Sequence, residues 1–321
     1  MKYRIRFIML VAAAGLWCSS APGAETWHLE RGGQWKAISQ QKQDKYLLAV
    51  SEIKKLISAG QSDSVREGLE QLKKDFPEIA APDLDAFMES EMFFCEAKFT
   101  RAIRSYDKVL DKFPESSLYD AALERKFAIG TAFLAGQKKS VLGVFKIRGY
   151  AEGRKIMEGI SDRAGDSPIA LRAAMSVVKS LEKRQKFDEA YHKWSEIQSR
   201  WPTGQIGRDS LLGMARCKHA AYKGPKYDAS ELISAKSYYE DFKLRYPQDA
   251  KELEIAEKLE IINEQIAMKK FEIGQYYQKT GNEQSANLYY QMVADNWAGT
   301  EAAKMVRKLA GENLVSEEIK K

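Results

Sequence analysis

One pattern recurs along the chain and fixes what it can fold into: a small or aliphatic residue, a large apolar one four positions later, and an aromatic seven after that, usually followed by proline. The copies are Val65, Leu69, Phe76, Pro77; Ala102, Tyr106, Phe113, Pro114; Ala190, Trp194, Trp201, Pro202; Ala235, Tyr239, Tyr246, Pro247; and Ala286, Tyr290, Trp297, with Ala298 in the place of proline. Gly153, Met157 and Ala164 keep the spacing in degraded form, with Pro168 four further on. Offsets of 4, 7 and 11 return to one face of an α-helix, so each copy reads as a helix with a buried stripe that the proline terminates.

The first residues of successive copies lie 37, 51, 37, 45 and 51 apart, which is two helices and a connection of variable length. Helical hairpins follow. Partner helices are expected at 171–181, with Leu171, Ala174, Val178 and Leu181 on one face, and at 268–279, with Phe271 and Gly274 at similar spacing. Turns are expected at 134–136 and 279–282, each containing a glycine. The fold class is therefore all-α, a right-handed superhelix of about five to six hairpins. Its repeat domain spans 61–300, preceded by an N-terminal segment and first helix at 25–60 and followed by a C-terminal helix and tail at 301–321.

Composition agrees. With 44% apolar residues and only 21 Gly and 8 Pro in 321, the chain is neither disordered nor collagen-like. Cysteines at 18, 95 and 217 have no spacing for a zinc ribbon or disulfide framework. Residues 1–24 read as an export signal: Lys2, Arg4 and Arg6, then twelve apolar or glycine residues from Phe7 to Cys18, then small residues. Without them 48 basic residues face 45 acidic ones, a balance that argues against nucleic acid as a partner. A lipid anchor at Cys18 is disfavoured because Trp17 stands where a lipoprotein signal needs a small residue.

The repeat resembles the tetratricopeptide family, best in the last unit, where Gly274, Tyr277, Ala286, Tyr290 and Val293 stand at that family's spacing. Units longer than the consensus of about 34 residues, the tyrosine-rich segment 235–247 and the exported start look more specifically like the BamD (YfiO) outer-membrane assembly family. That resemblance implies a scaffold for the barrel insertase and its unfolded substrates, with carboxy-terminal repeats meeting the insertase. Tyr239, Arg245 and Lys270 would then belong to the partner-facing end.

No catalytic constellation is legible. His28, His192 and His219 lack partners at metal-ligand spacing, no glycine-rich loop precedes Lys-Ser or Lys-Thr, and Cys95 lies in an apolar run. No cofactor, metal or small-molecule substrate is expected, and the chain reads as a non-enzymatic, periplasmic adaptor for envelope proteins, with peripheral association to the outer membrane as its expected variant. The runner-up is a general adaptor for envelope or cell-wall factors. In a stack of hairpins the first helix of each pair offers a groove for extended peptide. Projection places Arg172, Met175, Lys179 and Lys183 opposite the buried stripe of the helix at 169–183, and Arg125 in a comparable place; the cations read either as a solvated helix face or as a seat for a carboxylate.

Two segments escape the repeat. Residues 25–40 hold Trp27 and Trp35 around Gly32 and Gly33, a short turn or hairpin suited to capping the first repeat or to touching a partner. Residues 136–149 carry Lys138, Lys139, Lys146 and Arg148 with no acid. They read either as a docking loop or membrane-surface contact, or as an insert tucking Leu142, Phe145 and Ile147 into the stack.

Overall fold

A computed structural model describes residues 26–29, 35–38, 40–77, 82–141 and 145–319. Residues 1–24, with the expected signal and Cys18, lie outside this set, as does Leu142. The chain forms two compact units, 1–119 and 120–321. Among the described residues the fold is all-α apart from two short hairpins of strands.

The first unit opens with an antiparallel pair, β1 (Thr26–Leu29) and β2 (Trp35–Ile38), with Leu29 opposite Trp35. Two helical hairpins follow: α1 (Gln40–Ser58) with α2 (Ser62–Asp75), and α3 (Pro82–Cys95) with α4 (Phe99–Lys112). Val65, Leu69 and Phe76 pack with Ile53, Ile57 and Met88 in one apolar cluster. Tyr106 is buried, and its hydroxyl donates to the equally buried Glu91 carboxylate, so neither polar group is left unsatisfied.

The second unit begins with α5 (Tyr119–Leu134), a strand pair β3 (Lys138–Val141) and β4 (Phe145–Arg148), and α6 (Tyr150–Arg163). It continues through α7 (Pro168–Lys183), α8 (Phe187–Arg200), α9 (Gly204–Ala221), α10 (Ser230–Arg245), the short α11 (Pro247–Glu252), α12 (Ile255–Lys279), α13 (Glu283–Asn296) and α14 (Glu301–Ile319). The hairpins are α5–α6, α7–α8, α9–α10 and α12–α13. Glu264 of α12 seals the last helix by accepting from the backbone N–H groups of Glu301, at 2.9 Å, and Ala302, at 3.3 Å. No helix among the described residues is long and apolar enough to cross a membrane.

The sequence stripe falls on the second helix of every pair, α2, α4, α6, α8, α10 and α13, including the degraded copy, where Gly153 and Met157 are buried. Its first two positions are core throughout. The terminal aromatic behaves differently from expectation: Phe76 is buried, but Phe113, Trp201, Tyr246 and Trp297 are half-buried. The reason is local. Each is the helix C-cap, its N–H bonded to the carbonyl four residues back while its backbone has left the helix. Before proline, φ is −130, −131, −128 and −132° with ψ of 60 to 72°, because the ring of the next residue bars the helical region. Trp297, before Ala298, lies closer to helical at ψ 44°.

The turn inside the hairpins is equally uniform. At Gly60, Ala97, Gly136, Gln185 and Gly281 the chain enters positive φ, and the next N–H donates to the carbonyl five residues back, for example Lys186 to Leu181 at 3.0 Å and Asn282 to Tyr277 at 2.9 Å. This is a Schellman closure of the first helix. Hairpin α9–α10 departs from it, using the longer connection 222–229.

Within the second unit, large stripe side chains sit on glycines of neighbouring helices. A Cβ on Gly213 would lie 2.3 Å from the Trp194 ring, and one on Gly274 would lie 2.6 Å from Tyr290. Gly130 meets Met157 in the same manner at 3.0 Å. Of the residues expected to tuck the 136–149 insert into the stack, Ile147 does not, since it is 55% exposed. Strand pairing satisfies the backbone, so the segment has no need of the helical core.

Candidate functional site

The first helices α7 and α9, together with α11, border a cleft of about 440 Å³. From α7 come Met175, Lys179 and Glu182, spaced by four and three residues on one face; from α9 come Arg208, Leu212 and Arg216, each one turn on. Asp249, Glu252 and Leu253 close the far side, and Trp194 of α8 lies at the floor. Met175, Leu212 and Leu253 give the bed its apolar character.

The charges are mostly spent on each other. Arg208 Nη1 meets Asp249 Oδ1 at 2.8 Å, and Arg216 Nη2 meets Glu182 Oε1 at 3.0 Å. Glu182 is a hub: it also accepts from Trp194 Nε1 at 2.9 Å and from Cys217 Sγ at 3.5 Å. Burial first, and the Glu182 carboxylate second, push the Cys217 thiol up to about 12, so it stays protonated at neutral pH. His219 is likewise a packing residue, its Nε2 3.0 Å from Gln265 Oε1 and its pKa lowered by burial. Among the described residues no three metal-binding side chains gather.

These ion pairs belong to a series that joins the first helices α5, α7 and α9 to one another and α9 to the short α11. Glu124 of α5 holds Arg172 of α7 at 2.6 Å, Glu182 of α7 holds Arg216 of α9, and Arg208 of α9 holds Asp249 of α11. The second helices are joined too, by Arg154 to Glu189 at 2.7 Å and by a Tyr191–Tyr238 hydroxyl contact at 2.8 Å.

Of the expected groove residues, the structure brings Met175 and Lys179 together in the cleft. Lys179 makes no ion pair among the described residues. Arg172 lies outside the cleft, bound to Glu124 with its guanidinium 4.4 Å from the centre of the Phe127 ring. Arg125 is half-buried, and Lys183 is exposed in the last turn of α7, neither lining the cleft. Tyr239 is 2% exposed, which makes it a core residue and removes it from any partner-facing surface. Arg245 is exposed but paired with Asp241 on its own helix at 2.8 Å, and Lys270 lies 5.7 Å from the centre of the Tyr289 ring. Sequence reasoning missed Glu182, Arg208, Arg216 and Asp249. Their signal is opposite charge about one repeat apart, 34 residues from Glu182 to Arg216 and 41 from Arg208 to Asp249.

No protein-family model matches the chain, and no curated protein matches it. Among solved structures it is similar to PilW, a widely conserved type IV pilus biogenesis factor, at 16% identity over 84% of this chain and 99% of that one, TM-score 0.28. It is also similar to the C-terminal part of a tetratricopeptide repeat-containing protein from Cytophaga hutchinsonii, at 14% identity over 83% and 95%, TM-score 0.36, and to pilF of Pseudomonas aeruginosa, at 11% over 85% and 100%, TM-score 0.32. The architecture rests on the geometry above: this is an all-α protein of repeated, tetratricopeptide-like helical hairpins.

Proposed function

We propose that the chain is an exported scaffold that holds extended polypeptide segments on the face formed by α7, α9 and α11, and that it serves outer-membrane protein assembly. The observation that supports this most directly is the cleft itself, an apolar bed of Met175, Leu212 and Leu253 rimmed by paired charges. Such a surface takes an apolar side chain of an extended segment while polar groups on the rim meet its backbone. Assembly of barrel proteins comes from the family resemblance and the signal-like start, and is an association rather than a geometric result.

The charge of the cleft favours a second reading. Lys179, Arg208 and Arg216 face Glu182, Asp209, Asp249 and Glu252, three cations against four carboxylates, so a chain-terminal carboxylate gains little there. A general periplasmic adaptor for internal segments of envelope or cell-wall proteins fits that balance. Affinity capture from detergent-solubilised envelopes, with a photo-crosslinker at Leu212, separates the two. Assembly predicts an insertase subunit or unfolded barrel proteins in the crosslinked product, lost with Met175→Asp. Cell-wall factors without any insertase subunit would establish the adaptor instead. Mass spectrometry of the mature amino terminus fixes the signal cleavage and reads directly whether Cys18 is acylated.

A further inference from the structure

The cleft bordered by α7, α9 and α11 spends most of its charge on internal pairs, and one cation and one anion are left over. Arg216 is held by Glu182 of α7, and Arg208 by Asp249 of α11 and by Asp209 at 3.3 Å. Trp194 and Cys217 donate to the same Glu182 carboxylate. Lys179 makes no ion pair among the described residues. Glu252 has no cation beside it among those residues either; it accepts from the neutral Gln248 amide of its own helix, at 3.3 Å. Both side chains are exposed, and both line the cleft.

The neighbouring ion pairs place these two charges at opposite ends. Lys179 stands three residues before Glu182 on α7, one turn from the pair that holds Arg216. Glu252 stands three residues after Asp249 on α11, one turn from the pair that holds Arg208. Arg208 and Arg216 are eight residues apart on α9, which is about 12 Å of helix, and Leu212 lies midway between them. Met175 of α7 and Leu253 of α11 complete the apolar bed around it. An extended chain covers about 13 Å in four residues, and its residues i, i+2 and i+4 share one face. Three side chains on such a face match the two ends of the cleft and its middle.

We propose that the cleft selects internal segments of the form acid–x–apolar–x–base, with the acid on Lys179, the apolar side chain on the bed around Leu212 and the base on Glu252. This rests on the reading of the cleft as a polypeptide site and names the segment it prefers. A segment with like charges at both ends meets one attraction and one repulsion, and a chain-terminal carboxylate uses Lys179 alone.

The test is fluorescence polarisation of the full chain with four labelled, end-blocked peptides: Asp-Ser-Leu-Ser-Lys, Asp-Ser-Leu-Ser-Asp, Lys-Ser-Leu-Ser-Lys and the uncharged Asn-Ser-Leu-Ser-Gln. Each exposed ion pair contributes about threefold, so wild type binds the acid–base peptide about tenfold more tightly than the other three, and added salt reduces the difference. Lys179→Glu moves the preference to the all-basic peptide, and Glu252→Lys moves it to the all-acidic one. The double variant returns it to the acid–base peptide. Both positions are exposed, so all three variants keep the circular dichroism and urea midpoint of wild type. Equal binding of the four peptides, still weakened by Met175→Asp, would overturn the charge selection and leave the polypeptide site standing. A wild-type preference that the charge reversals do not move would overturn it too. Failure of every peptide to bind, or binding indifferent to Met175→Asp, would defeat the site and the selection together.

Discussion

The interior seam of the second unit and the face of its first helices are held by different chemistry. Inside, Trp194 lies on Gly213 and Tyr290 on Gly274, flat rings against bare backbone with no room for one carbon more. Outside, the pairs Glu124–Arg172, Glu182–Arg216 and Arg208–Asp249 bridge helix to helix between partly exposed side chains. The seam admits one solution, because close-packed shapes fail when volume changes. The outer face admits many, because exposed ion pairs contribute little individually. Variation tolerated on that face leaves the cleft free to specialise while the stack beneath it stays fixed. Trp194 belongs to both regions, its ring in the seam and its N–H on Glu182.

Six substitutions break or sharpen this contrast. Gly213→Ala drives a methyl into the indole and should cost about 3 kcal/mol in urea unfolding. The cost should shrink in a Trp194→Leu background; an unchanged cost would mean that the seam is not the cause. Glu182→Gln weakens three contacts at once, those to Arg216, the Trp194 N–H and the Cys217 thiol, and should cost about 1.5 kcal/mol. Removing that negative charge also lowers the Cys217 pKa, read as faster thiol alkylation at alkaline pH.

The same thiol sets a pH dependence. Cys217 rises from 9.0 to about 12 on folding, and Tyr239 from 10.0 to about 12, both mainly by burial. The folded chain therefore keeps protons that the unfolded chain releases, so stability is full below pH 9 and falls as pH rises toward 12. Urea midpoints across that window should decline less steeply in Cys217→Ala. Smaller again, Arg172→Ala should cost about 0.5 kcal/mol, since both partners of its ion pair are half-exposed. Lys179→Glu should leave the unfolding midpoint where it is while changing what the cleft captures, the cleanest separation of the two regions.

The second helices were legible because their stripe alternates very small with very large side chains, as in Ala190 and Trp194, and helical periodicity makes that contrast stand out. Their partners were less so: α7 buries Ala170, Ala173 and Ala174, and α9 buries Gly207 and Gly213, residues whose size gives no apolar signal. Phe76 is as deep as the stripe predicts, but the other capping aromatics lie shallower, since spacing carries no information on where the backbone turns away. In the cleft, Met175 and Lys179 followed from helical projection alone. Glu182 and Arg208 did not, because their roles depend on partners a repeat away and on the register of stacking. Ile147 misled for a simpler reason: hydrophobicity in a short run does not distinguish a core strand from one that faces outward.

The Gly149 to Gln137 hydrogen bond brings the excursion between α5 and α6 back to the place it left. A detour that begins and ends at one point asks nothing of the architecture around it, and lengthening such a detour costs little entropy. The helical hairpins of the second unit can thus carry an exchangeable fitting between α5 and α6, with its own chemistry, while their own packing stays the same.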